Sequence, residues 1–341
     1  MDQSRDPETS AKIVAFDADA KEWLALADEA TGCVDPRAAP ELREAVRVHG
    51  VTSPGALQAL CRIILGLECD ARVREAAAAR RAFDAWFSRA EHEQGDGFGQ
   101  YARTLAAMLT SHGLHKDAVT VLERAQSRAG ADAWLTASDL GESLCSLGET
   151  ERSVQVLRAL NASPLPLPAL FEVRATLASV LARVGLYDEA VAIYRDLAAR
   201  EPSSSLAHKR TIQAAVAARC SGDELTARQL LFELLARLKA ERAVCSFAGV
   251  TCVDQLLGLL LLAEDERAID VQRALVDAVA ETHGPEHPAA LQERKNLAVV
   301  LLGVGHQDEA KALTSELATL LRVPDLLPDS LDRSRPHVLP A

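Results

Sequence analysis

Apolar residues recur at intervals of three and four along most of this chain, the period of a helix with one buried face. Glycine punctuates those runs at nearly even distances. The clearest stretch is Phe171 to Pro202, FEVRATLASVLARVGLYDEAVAIYRDLAAREP. It reads as two amphipathic helices around a short turn at Gly185, Leu186 and Tyr187, closed by Pro202. Ala178 and Ala190 sit where the two helices would touch, and small side chains let backbones approach. A glycine ending the first helix supplies the left-handed cap that a tight turn needs.

The same grammar returns five more times. Turns fall at Gly113 (small residues Ala106 and Ala118), Gly148 (Gly141 and Ser153) and Gly222 (Ala215 and Ala227). Two more fall at Ala263 (Ala268) and Gly305 (Ala298 and Ala310). Turn-to-turn spacings are 35, 37, 37, 41 and 42 residues. Each helix pair leaves an apolar flank that the next must cover, so the units stack. The pattern predicts an all-α solenoid of about six antiparallel helix pairs over residues 99–322. His283-Gly284-Pro285-Glu286-His287-Pro288 is the loop between the last two units.

Upstream, residues 1–12 are polar and predicted disordered, and residues 13–98 form an N-terminal helical cap region. Its expected helices are Phe16–Ala30, Pro40–His49, Pro54–Leu67 and Ala71–His92. Asp35-Pro36 and Ser53-Pro54 are start signals; Gly32 and Gly50 are stops. The glycine-rich segment Gln94–Gly99 follows a helix rather than a strand, which favours a flexible connection over a phosphate loop. Downstream, Pro324, Pro328, Pro336 and Pro340 exclude a long helix from residues 323–341. That tail is either disordered or an arm whose leucines pack along the array.

Composition supports the helical reading: Ala and Leu dominate and aromatics make up 4%. A formal net charge of −12 argues against nucleic acid or an anionic membrane as main partner. The seven cysteines form no CxxC pair, the N-terminus has no apolar signal core, and the longest apolar run is Leu256–Ala263. A reduced, cytoplasmic protein is expected.

Candidate chemistry is sparse. His112 and His115 straddle a turn without further ligands, and His283 and His287 are separated by a helix-breaking Gly-Pro. Cys61/Cys69 and Cys245/Cys252 have the spacing of core positions on one helix face. No nucleophile, phosphate or dinucleotide motif is present, and acidic pairs at helix starts serve the helix dipole. Neither catalysis, nor a metal, nor a cofactor has a candidate, and an enzyme is the least supported class.

Leu177, Ala178, Leu181, Gly185, Tyr187, Ala190, Tyr194 and Pro202 resemble the tetratricopeptide repeat (TPR) pattern. The final units, with a period near 42 and the HGPEHP loop, resemble its kinesin-light-chain-type variant. Ser153, where the family usually has Ala, and Gln272, where an aromatic is typical, depart from the pattern. The resemblance implies a right-handed superhelix whose first helices line a concave, ligand-binding face. Projected onto this chain, that face carries Gln100, Arg103, Thr110, Ser138, Glu142, Cys145, Glu172, Ser179 and Arg183. Further along it carries Lys209, Arg219, Val253, Leu257, Leu260, Gln292, Lys295 and Asn296.

Arg103, Arg183, Lys209, Arg219 and Lys295 place positive charge there, and Val253, Leu257 and Leu260 an apolar patch. The expectation is a non-catalytic scaffold or adaptor binding a protein or peptide with an acidic segment and an apolar anchor. The competing reading pairs those arginines with surface Glu and Asp. Lys295 and Asn296 are adjacent, so the lysine-asparagine carboxylate clamp of some family members is not reproduced. A peptide-sensing regulator and an accessory subunit of a biosynthetic or modification complex are the alternatives. Self-association as a homo-oligomer is left open.

Overall fold

A computed structural model of the chain describes residues 37–127, 133–201 and 203–321. Expectations for residues 1–36, Pro202 and the tail from residue 322 lie outside them, Phe16–Ala30, Asp35-Pro36 and Cys33 included. The chain divides into two compact units, one ending at Val184 and the other beginning at Gly185.

The first unit runs α1 (Ala38–His49), α2 (Pro54–Cys69), α3 (Val73–Gln94), α4 (Phe98–Ser111), α5 (His115–Gln126), α6 (Ala133–Leu147), α7 (Thr150–Asn161) and α8 (Leu167–Arg183). Ser53 caps α2, its hydroxyl accepting from the Ala56 N–H ahead of Pro54 at the first helical position. Gly50 ends α1 at φ 81°, as its glycine predicts. Gln94–Gly99 is no loose connection: a 3-10 turn over Gly95–Gly97 runs straight into α4.

Consecutive helices pair antiparallel, and the first helices of successive pairs also pack: α2 on α4, α4 on α6, α6 on α8. Phe83, Phe87, Phe98 and Tyr101 form an aromatic seam where α3 meets α4, with neighbouring ring centroids 5.3–6.2 Å apart. Trp86 and Phe87 are fully buried there. The Tyr101 hydroxyl donates to the Thr52 carbonyl at 2.6 Å.

The second unit continues with α9 (Tyr187–Arg200), α10 (Ser204–Cys220), α11 (Glu224–Ala240), α12 (Phe247–Leu262), α13 (Arg267–His283), α14 (Pro288–Gly303) and α15 (Gln307–Leu321). Each packs on the next, and α10 also packs on α12. Among the described residues the fold is all-α, a succession of stacked antiparallel helix pairs.

One turn recurs. At Gly113 the Leu114 N–H reaches back to the Leu109 carbonyl at 2.9 Å, and the Gly113 N–H to that of Thr110 at 3.0 Å. These are the two bonds of a Schellman cap, with Gly113 at φ 75°. The long bond repeats as Glu149 to Leu144, Asp223 to Ala218, Asp265 to Leu260 and His306 to Leu301, at 2.8–2.9 Å.

Two corrections follow. In the α12–α13 turn the left-handed residue is Glu264 (φ 51°), one place beyond Ala263, so the flanking spacings become 42 and 41. The same cap also closes α2, with Arg72 bonded to Leu67 at 2.9 Å and Ala71 at φ 56°. Ala71 therefore does not open a helix, and α2–α3 is a hairpin of the repeating kind, 42 residues before Gly113.

Buried small residues mark the hairpin crossings: Ala106 and Ala118, Gly141 and Ser153, Ala215 and Ala227, Ala298 and Ala310. The departure at Gln272 is also accommodated. That side chain is buried, and its Nε2 donates to the Glu293 carbonyl at 3.2 Å and carboxylate at 2.9 Å.

Candidate functional site in the first unit

Because α4, α6 and α8 belong to successive pairs, their outward faces meet in an open depression of about 610 Å³. Its rim and walls carry Gln100, Arg103, Thr110, Asp139, Glu142 and Arg183 among others. Five of those six are positions projected from the sequence; Asp139 is the addition.

Asp139 changes the electrostatics. The Arg103 Nε donates to its Oδ2 at 2.6 Å, across 36 residues of sequence. The Arg183 guanidinium donates to the Ser146 hydroxyl at 3.2 Å. The four charged side chains of the depression thus sum to zero, rather than to the positive field expected. Glu142 is raised from the usual carboxylate pKa, first by desolvation and then by Asp139, with Arg183 opposing.

Other projected positions of this unit lie outside the depression. Ser138 and Cys145 are buried on α6, Ser138 donating to the Thr176 hydroxyl at 3.3 Å. Ser179 is half-buried on α8 and does not line the depression; Glu172 is exposed.

In the second unit, Lys209 and Arg219 are exposed on α10, and Lys295 is half-buried on α14. Asn296 is engaged: its Nδ2 donates to the Glu293 carboxylate at 3.0 Å while Gln292 donates to its Oδ1. The apolar patch is corrected. Val253 and Leu260 are completely buried core residues, and only Leu257 is partly accessible. That helix is apolar on nearly every side, so its composition gave no hint of which leucines face inward. A second depression, of about 510 Å³, lies between the end of α11 and α13, with Lys239, Arg242, Asp277 and Glu281 around it.

Among the described residues, no cluster of His, Cys, Asp or Glu is arranged to hold a metal ion. His112 lies 2.7 Å from the Gln58 amide, and His287 caps α14 by accepting from the Ala289 N–H at 3.2 Å. Burial pushes the Cys61 thiol up, and that of Cys252 to about 12, which silences both as nucleophiles. Cys69, expected in the core, is exposed. No described helix is long and apolar enough to cross a membrane.

No family model matches the chain, and no curated protein matches it. Solved structures do. The TPR-like repeats of a protein described as a kinesin light chain from Podosopora anserina are 19% identical, covering 55% of this chain and 93% of that one at a TM-score of 0.42. BtubC from P. vanneervenii is 16% identical over 73% of this chain and 98% of that one, at 0.42. The C-terminal part of a TPR repeat-containing protein from Cytophaga hutchinsonii is 13% identical over 77% and 96%, at 0.48. The described residues of this chain form capped antiparallel helix pairs that cross at small residues.

Proposed function

We propose that this protein is a non-catalytic scaffold or adaptor that binds a segment of a partner protein along the outward faces of its first helices. One observation carries the reading: α4, α6 and α8, from three successive helix pairs, converge on one polar depression. Side chains there are fixed by neighbouring repeats, as Arg103 is by Asp139, so the surface is held in shape before a ligand arrives.

Site-specific photo-crosslinking in the native cell tests this. A photoreactive residue at Thr104, which lines the depression, is expected to give a discrete partner adduct; one at Lys116, exposed on α5, is not. Equal labelling from both positions, or none from Thr104, would contradict it.

A further inference from the structure

We propose that the segment following α15, centred on Asp325, Leu326 and Leu327, packs back along an open stripe of α14 and covers the exposed side of the last described helix pair. Leu291, Lys295, Val299 and Leu302 make that stripe, spaced four, four and three residues apart and so on one side of the helix. Contacts account for the other sides. Glu293 accepts a hydrogen bond from Gln272 of α13, and a Cβ on Gly303 would lie 3.0 Å from Leu261 of α12, so that side turns toward the preceding pair. Arg294 donates to Glu316 of α15 at 2.6 Å. Earlier first helices are also packed by the first helix of the next pair, as α10 is by α12. Among the described residues no helix follows to do this for α14.

The stripe is apolar with a single charge. Val299 is 51% exposed, and Leu291 and Leu302 are half-buried. Lys295 is half-buried too, and among the described residues it makes no hydrogen bond or ion pair. The chain itself supplies a matching segment. Residues 322–341 follow α15 directly, and prolines at 324, 328, 336 and 340 exclude a further helix pair there. They read instead Pro324-Asp325-Leu326-Leu327-Pro328, a carboxylate beside two leucines. The reach also fits. Because α14 and α15 run antiparallel, with Arg294 against Glu316, α15 ends at Leu321 beside the first turn of α14. Lys295 lies about 9 Å further along α14, at ~1.5 Å per residue. Asp325 is four residues past Leu321, within about 14 Å of extended chain. The next two residues, ~7 Å of chain, cover the ~6 Å from Lys295 to Val299. The carboxylate thus answers the unpaired ammonium, and the leucines take apolar surface of Val299 and Leu302 out of water.

Photo-crosslinking of the full-length protein tests the proposal. A benzophenone amino acid at Val299 is expected to give an intramolecular adduct within residues 324–331, mapped by mass spectrometry, with a yield independent of protein concentration. Lys295→Glu should cut that yield severalfold, the scale of a surface ion pair, and adding Asp325→Lys to it should restore the yield. Leu326→Ser together with Leu327→Ser should abolish the adduct, with helicity unchanged by circular dichroism in every variant. An adduct joining two copies of the chain would overturn the inference in favour of self-association through this stripe. No adduct, or one whose yield neither the serine pair nor Lys295→Glu alters, would overturn it outright.

Discussion

Ser153 on α7 donates its hydroxyl to the backbone carbonyl of Gly141 on α6 at 2.5 Å, in a fully buried crossing. A Cβ placed on Gly141 would lie 2.6 Å from the side chain of Leu157, which is fully buried and occupies the space a larger residue would need. Gly141→Ala should therefore destabilise the protein by about 1–3 kcal/mol, overpacking outweighing the roughly 1 kcal/mol gain in helix propensity. Ser153→Ala should cost about 1 kcal/mol or less, since the Gly141 carbonyl lies inside a helix. Denaturant unfolding of the two variants ranks them; the opposite order would refute the close-approach account.

The left-handed turn residues give a second expectation with the sign reversed. Glu264 and Ala71 occupy conformations (φ 51° and 56°) that cost an L-residue about 1–2 kcal/mol relative to Gly. Glu264→Gly should raise the thermal midpoint, by about 0.5–1 kcal/mol of stability after the extra freedom of Gly in the unfolded chain is counted. Gly222→Ala, at φ 85°, should lower it comparably.

His306 sits 3.1 Å from Glu309 and 3.5 Å from Glu266 of the preceding pair, and Arg273 also reaches Glu309. Those hydrogen bonds, to Glu309 first, raise its pKa above the ordinary 6.5. A group raised on folding contributes stability that is fully present below its unfolded pKa and is lost as pH climbs through the folded value. The stability gap between wild type and His306→Gln should accordingly be largest near pH 5 and close toward pH 8, by the same linkage. A gap that widens with pH would reject this.

Thiol accessibility follows burial. Cys69 and Cys220 are exposed and should react with a disulfide reagent in the native state, whereas Cys61, Cys145 and Cys252 should wait for unfolding. Mass-spectrometric mapping of the modified sites reads this directly.

The architecture was legible because a Schellman cap favours Gly, and Gly113, Gly148, Gly222 and Gly305 announce their turns. The hairpin at Ala71 was hidden because Ala gives no such signal, and Glu264 displaced the expected turn by one residue for the same reason. The residues of the depression were legible, but not their state. Arg103 finds Asp139 on a different helix, a pairing set by how repeats stack rather than by any local spacing. Val253 and Leu260 were misplaced because an apolar helix has no polar face to orient it.

The most direct measurement is a hydrogen-exchange footprint of the full-length protein with and without a peptide selected by display. The account predicts slowed exchange in 98–111 and 133–147, the helices that carry most of the depression, with α5 and α7 unchanged. Protection confined to α5 and α7, or none anywhere in the first unit, would contradict it.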